Sequence, residues 1–574
     1  MKLRNITYTI AAMILVACSD LNLNPLSEAS SGNWYSDETE VQMSVNDLFS
    51  MEFWDRDPDS WTDDWMYRQA TNSITNGTID GQFSAGLNHW NNAYTCIARA
   101  NTILESLEKV QAQFPQELVQ LYEGNVRFVR ASKYAHLISH WGDVVFYTQA
   151  LDIDESFNLS RTDKEVILES IYEDFDIASD YLPVSYEASE NQWATKGAAL
   201  GMKARIALYM GDFDIARDAA KACIDLAHYT LYPDFGDLFI PSNKNSDEII
   251  FAIPRSVELG EFIRDFGATH NDDSGLGTKF YITRNAGGST SKNPTWDLFC
   301  SYLCSDGLPI DESPLYDPQN PFENRDPRCT ETIVEFQTEH LGFMFQPHPD
   351  SLTVYSFKSG NYVQNNDTRS VAQFTSYNGL VWKKGITEDW SDDYFTDPDL
   401  VFLRYADVLL MYAEAKIELN EIDNSVLSAM NQVRARAYGV SESDITLYPS
   451  VATTDQTELR NILRIERRME FALEGLRYMD IIRWELAEKV LNLPNYGMLD
   501  VEALRTQVVD QGLWFFPSTP EIDEDGVADF SDMYDAGLIR QLNQRTFDAD
   551  RQYLWPIPSK EILINDNLTQ NPNY

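Results

Sequence analysis

The sequence predicts a mainly α fold: a single large domain with helical pairs on one side and irregular loops with short strands on the other. Three observations predict it. Apolar residues recur at helical spacing over 89–110, 115–139 and 164–181, and again beyond residue 403. Two stretches, 196–226 and 405–438, place small residues where two helices can approach closely. Two long tracts, about 228–295 and 305–402, are rich in Gly, Asn, Ser and aromatics and hold only short strand-like runs.

The N-terminus reads as a leader. Lys2 and Arg4 give a positive start, and Ile6 to Val16 is mostly apolar but too short to span a bilayer. Leu15-Val16-Ala17-Cys18 resembles a lipobox, which predicts removal of residues 1–17 and acylation of Cys18. Each buried CH₂ of an acyl chain contributes roughly 0.8 kcal/mol, so two or more chains anchor stably. Residues 18–33 then form a polar tether, and residues 34–574 the folded domain.

Within that domain, Ser36/Asp37 with Glu40 caps the first helix. An acidic, Trp-rich loop follows, with Trp54, Asp55, Asp57, Asp59, Trp61, Asp63, Asp64 and Trp65. The helical scaffold is expected over about 89–227 and 403–491, and ligand-side loops over about 50–88 and 228–402. The 196–226 stretch turns at Gly211, which can take the positive φ that ends a helix. Its spacing resembles a tetratricopeptide repeat, as does 405–438, with fainter pairs at 123–181 and 459–491. Scattered in this way, the repeats predict a broken solenoid rather than a continuous array. Strand-like runs fall at Glu248–Ile253, Glu331–Phe336, Thr353–Phe357 and Leu380–Lys383. Pro556 and Pro558 fix an extended C-terminal tail (553–574), and Tyr574 suggests that it docks.

Composition excludes some functions. With 44 basic and 90 acidic residues, the net charge of −46 is incompatible with a general nucleic-acid-binding face and repels anionic membranes. It suits a well-solvated exported surface. Beyond Cys18, the cysteines at 96, 223, 300, 304 and 329 are odd in number. Cys96 and Cys223 read as buried thiols, and Cys300/Cys304 lack the further Cys or His of a zinc site. His136 and His140, four apart on a helix, read as packing. No metal or cofactor is therefore expected, although the Asp-rich loop 55–64, without EF-hand spacing, leaves calcium open. There is no G-x-S-x-G, H-E-x-x-H, phosphate-cradling or dinucleotide motif.

Several stretches together resemble the SusD/RagB family of outer-membrane nutrient-binding lipoproteins of Bacteroidetes. They are Cys18-Ser19-Asp20-Leu21, His89–Asn101 with its W-x-x-x-Y, and Arg127–Ala131 followed by Trp141-Gly142-Asp143. In the C-terminal half they are Arg404–Ala415, Asn431–Ala437, Glu466–Trp484 and the tail from Leu554 to Tyr574. The charges of 466–484 also make sense on their own. Glu466, Arg467 and Glu470, and then Arg477, Asp480 and Arg483, fall at helical spacings that let them bridge neighbouring helices as framework.

The resemblance implies a non-catalytic, surface-exposed lipoprotein that captures oligosaccharide and delivers it to a SusC-like TonB-dependent transporter. For the site, aromatics set among polar residues suit sugar stacking, because flat rings face C–H groups while hydroxyls seek polar side chains. The candidate ligand-binding residues are Trp54, Trp61, Trp65, Arg68, Asn72 and Tyr281, with Phe280 beside the last. Arg68 is carried over from a starch-binding member, in which an aromatic-Arg stretch before the W-x-x-x-Y helix lines the glycan site; the loop at 73–86 departs from that member. Alternatives are an oligopeptide ligand, a surface-anchored glycoside hydrolase using two carboxylates, and a scaffold using the repeats alone.

Overall fold

The computed structural model describes residue 35 and residues 37–187, 193–264, 267–268 and 277–574. The leader, Cys18 and the tether lie outside the described residues. The main helices are α1 (Glu38–Leu48), α2 (Ser84–Val110), α3 (Gln116–Trp141), α4 (Lys164–Tyr181), α5 (Lys196–Met210), α6 (Phe213–Asp225), α7 (Tyr405–Glu418), α8 (Asn424–Ala437), α9 (Gln456–Phe471) and α10 (Arg477–Arg483). The fold is mainly α, as the periodicity predicted. No helix among the described residues is long and apolar enough to cross a membrane.

Local chemistry fixes the helix ends. The Asp37 carboxylate accepts from the Glu40 N–H, and the Glu40 carboxylate accepts from the Asp37 N–H, which completes the expected capping box. Gly211 ends α5 at φ +83°. Midway along α5, a Cβ at Gly201 would stand 2.3 Å from the Leu403 side chain, so any larger residue would have to displace that leucine.

The helices form one continuous layer: α2 packs on α3, α3 on α4, α4 on α5, α5 on α6, α6 on α7 and α7 on α8. This corrects the expectation of a broken solenoid. The break at 228–402 is a break in sequence only, because α6 packs directly on α7 across it. The excursion leaves through the strand Ile249–Ile253 and returns through Leu400–Arg404, and the two strands pair antiparallel at its base. The 459–491 stretch is not a helical hairpin. There α9 packs on α7 and α10 on α5, and Arg467 reaches Asp480 at 2.9 Å.

Inside the excursion, Thr353–Ser356 is a strand, in a small sheet with Asn361–Gln364, Phe343–Met344 and Glu339–His340. Glu331–Phe336 and Leu380–Lys383 are not strands; an isolated bridge, Ile333–Trp382, and the Lys383–Glu331 ion pair join them. A short helix, Arg328–Thr332, occupies the first of these runs. Its Arg328 is held by Asp326, Glu466 and Glu470, which overrides the strand propensity of its neighbours. A second core, around Trp296, Phe299, Trp382 and Phe516, lies beneath this side.

The charges of 466–484 are a buried framework, as expected. Arg404 binds Glu248, Glu470 and Glu474; Arg434 binds Glu466; Arg436 binds Glu248 and Glu470; Arg467 binds Asp407 and Asp480; Arg483 binds Glu414 and Asp480. Four of these five planar guanidiniums bridge two or more carboxylates, which offsets the cost of burying both signs. The tail docks on the end of α3. Trp141 Nε1 donates to the Pro556 carbonyl at 2.9 Å, Trp555 Nε1 to the Tyr478 hydroxyl at 2.8 Å, and the Tyr574 hydroxyl to the Leu554 carbonyl at 2.9 Å. The tail is extended only to Pro558, which precedes a short helix, Ser559–Ile564. The five cysteines from Cys96 to Cys329 are free and buried.

Candidate functional site

The acidic, Trp-rich loop divides into two parts that behave oppositely. Its first part is buried. Trp54 is 3 % exposed and sits among Phe49, Phe128, Phe251 and Phe402, with its indole N–H donated to the Leu48 carbonyl. Trp61 is 5 % exposed and packs edge-on against Tyr478 and Trp555. Neither can offer a ring face to a sugar, so both leave the candidate list. The aspartates around them had suggested solvent, but they are spent on distant partners. Asp63 accepts both arms of Arg477 at 3.0 Å and also binds Arg468; Asp64 binds Arg468 at 2.8 Å; Asp59 accepts from the Gly475 N–H. The loop is thus riveted to α9 and α10. Burial pushes Asp63 up, but Arg468 and Arg477 overcome it and hold the carboxyl well below the usual range. Asp64 is raised by burial, with Arg468 opposing and the Asp63 charge adding to the rise.

Beyond Asp64 the chain becomes a strand, Trp65–Tyr67, paired antiparallel with Lys292–Pro294. Side chains alternate across a strand. Met66 therefore points inward, 2 % exposed, against Tyr377 and Leu542, while Trp65 and Tyr67 point out together. Opposite Tyr67 stands Lys292, whose ammonium lies 4.7 Å from the Phe280 ring centre and 5.8 Å from that of Trp65. Phe280 meets Tyr67 edge-on at 6.3 Å.

Arg68 ends the strand at φ +48°. Its guanidinium donates to the carbonyls of Ser289 and Phe374 at 3.4 and 3.2 Å, and lies over the rings of Tyr67 and Phe374. Trp65, Met66, Tyr67, Phe280 and Lys292 border a cleft of about 310 Å³, lined also by Ser60, Thr71, Asn72, Asn495 and Arg545, and Arg68 adjoins it at the end of the strand.

Of the sequence-predicted residues, Trp65 and Asn72 line this cleft, and Arg68 adjoins it over the Tyr67 ring. Asn72 borders the cleft, but its amide is committed: the oxygen accepts from the N–H groups of Ile74 and Thr75, and the nitrogen donates to Ser60. Tyr281 is 3 % exposed and lies behind Trp65, so it supports the ring rather than lining the cleft. Sequence reasoning missed Lys292 and Phe374. The first is visible only through strand pairing, and the second, 52 % exposed, only through the fold that carries it to Arg68.

The comparisons with known proteins agree with this architecture. The model described as "SusD family" matches residues 248–574, and one described as "Starch-binding associating with outer membrane" matches residues 26–208. The chain belongs to the SusD family. SusD-like protein P2 of Formosa agariphila is 25 % identical over 602 residues and aligns across all of both chains. A SusD-like carbohydrate-binding protein of Bacteroides fragilis superposes with a TM-score of 0.74 at 26 % identity, covering 94 % of this chain and all of that one. A laminarin-binding SusD-like protein superposes with a TM-score of 0.63 at 18 % identity, again over 94 % of this chain and all of that one, a likeness of fold.

Proposed function

We propose that the Trp65–Arg68 cleft captures oligosaccharide at the outer surface of the cell and hands it, unmodified, to a SusC-like TonB-dependent transporter. In this reading residues 1–17 are removed and an acylated Cys18 tethers the protein to the outer membrane. The observation that carries the proposal is the alternation of one strand. It turns Trp65 and Tyr67 outward together, between Arg68 and Lys292. Sugar rings stack on the aromatics while their hydroxyls accept from the cations and from Ser60, Thr71 and Asn495. Family membership and the match of residues 26–208 to a starch-binding, outer-membrane-associating family support the same reading.

Hydrolysis needs an acid and a base or nucleophile across the scissile bond. The described lining of the cleft offers no Asp, Glu or His, which favours capture without chemistry. Delivery then follows from a difference in ligand affinity between free and transporter-bound states.

The test is affinity electrophoresis of the purified protein through gels containing single soluble polysaccharides, laminarin and starch among them. Retardation by one glycan supports the proposal. Retardation by none, with oligopeptide binding by calorimetry, replaces glycan with peptide. Release of reducing ends from the retarding glycan would favour the hydrolase.

A further inference from the structure

Three of the chain's seven histidines meet two aspartates at a cavity of about 110 Å³, away from the Trp65 cleft. His89 comes from α2, His136 and His140 from α3, and Asp55 and Asp57 from the buried part of the acidic loop. His89 Nδ1 lies 3.1 Å from His136 Nε2. One ligand atom from each of Asp57, His89 and His136 falls within 4.8 Å of the others.

Two imidazole nitrogens on one tetrahedral zinc ion, each about 2.0–2.1 Å from the metal, stand about 3.3–3.4 Å apart. The ring nitrogens thus need to open by only a few tenths of an ångström for a cation to replace the proton they share. The surroundings supply a hydrogen-bonded partner for the carboxylate ligand and place a second carboxylate near His89. His140 Nδ1 donates to the His136 carbonyl at 2.9 Å, and its Nε2 meets Asp57 at 3.0 Å, which orients the carboxylate. His89 Nε2 faces Asp55 at 3.9 Å. Carboxylates behind ligating imidazoles fix their tautomer and strengthen them as ligands.

The rings of Trp61, Tyr478 and Trp555 pack around the cluster. The nearest ammonium, Lys133, is turned to the Phe53 carbonyl and the Trp54 ring. His136 is half-buried and lines the cavity, which leaves room for a bound water.

We propose that Asp57, His89 and His136 bind one divalent transition-metal ion of the zinc class, with solvent in the fourth position. Two imidazoles and one carboxylate select zinc, cobalt or nickel over calcium or magnesium. The ion clamps the base of the acidic loop to α2 and α3, eight residues before Trp65.

The test uses the purified protein, stripped with EDTA and dialysed against Zn²⁺ alone, with metal content measured by mass spectrometry. The expected result is about one zinc per chain. His89→Gln and His136→Gln are each expected to bind less than about a tenth of that, and His140→Gln to bind about 10–100-fold more weakly. Circular dichroism confirms that each variant is folded. Co²⁺ bound to the unmodified protein should give the intense visible absorption of four-coordinate cobalt. The proposal is overturned if the unmodified protein takes up no zinc, or if folded His89 and His136 variants keep it. Should the variants fail to fold, weak octahedral cobalt bands in the unmodified protein would overturn it as well.

Discussion

Trp65 donates its indole N–H to the Tyr281 hydroxyl at 3.3 Å, across 216 residues of chain. Tyr281 is buried and stands edge-on to Trp390, 6.1 Å between ring centres. A buried residue thereby orients the half-exposed indole before any ligand arrives. A ring left free to rotate would pay about 0.5–1.5 kcal/mol on immobilisation. Tyr281→Phe is therefore expected to weaken glycan binding about 2–10-fold with the fold intact, as measured by calorimetry and thermal melting.

Trp54 and Trp61 should behave in the opposite way. Truncating a fully packed tryptophan leaves a cavity and costs about 3–5 kcal/mol. Trp54→Ala and Trp61→Ala are expected to lower the unfolding free energy by that amount, read from a fall in the urea midpoint. Chain that remains folded should bind glycan with the affinity of the unmodified protein. A loss of affinity without a loss of stability would return these two residues to the ligand site.

The riveting of the acidic loop to α9 and α10 makes Arg468 a sensitive position. Arg468→Met leaves Asp64 without its hydrogen-bonded partner and Asp63 with Arg477 alone. Breaking a buried pair from one side costs about 3–5 kcal/mol. Unfolding in urea should show it, and exchanging Asp64 and Arg468 together for apolar residues, which leaves Asp63 paired with Arg477, should cost less than the single change.

Two aspartates give opposite pH dependences. Burial raises Asp407, but Arg205 and Arg467 outweigh it and bring its carboxyl down to about 2. Its contribution to stability is present above the ordinary value near 3.8 and is lost as pH falls towards 2. Burial pushes Asp59 up to about 7, against the opposing charge of Arg56. That carboxyl favours the folded state below pH 3.8, and the advantage is lost as pH rises through 7. Asp59→Asn cannot ionise, so its stability relative to the unmodified protein should rise by a few kcal/mol between pH 4 and pH 8. Urea titrations at both pH values check it; equal differences at the two would contradict the account.

The helical half of the fold was legible because its signals are local. The Asp37–Glu40 box, the Gly211 turn and the small residues of 196–226 each act within a few residues. The arginine–carboxylate spacing of 466–484 was legible for the same reason. The partners were not, since Asp63 and Arg477 lie 414 residues apart. That distance is also why Trp54 and Trp61 read as surface: acidic neighbours look like solvent until the arginines that neutralise them are in place.

Half of the candidate site came from the stretch Trp65–Arg68. The other half, Lys292 and Phe374, depends on strand pairing and on where the excursion returns. His136 and His140 were a visible i, i+4 pair, and their rings do pack together, but the partner His89 comes from another helix and no spacing announces it.

The central claim is that the outward face of the Trp65–Tyr67 strand, with Arg68, is the glycan platform. It is tested most directly by comparing the unmodified protein with a Trp65→Ala/Arg68→Ala variant in the gel of whichever polysaccharide retards the former. The account predicts that the variant migrates as it does without glycan while melting at the same temperature. Equal retardation of the two proteins would contradict it and place the ligand elsewhere on the molecule.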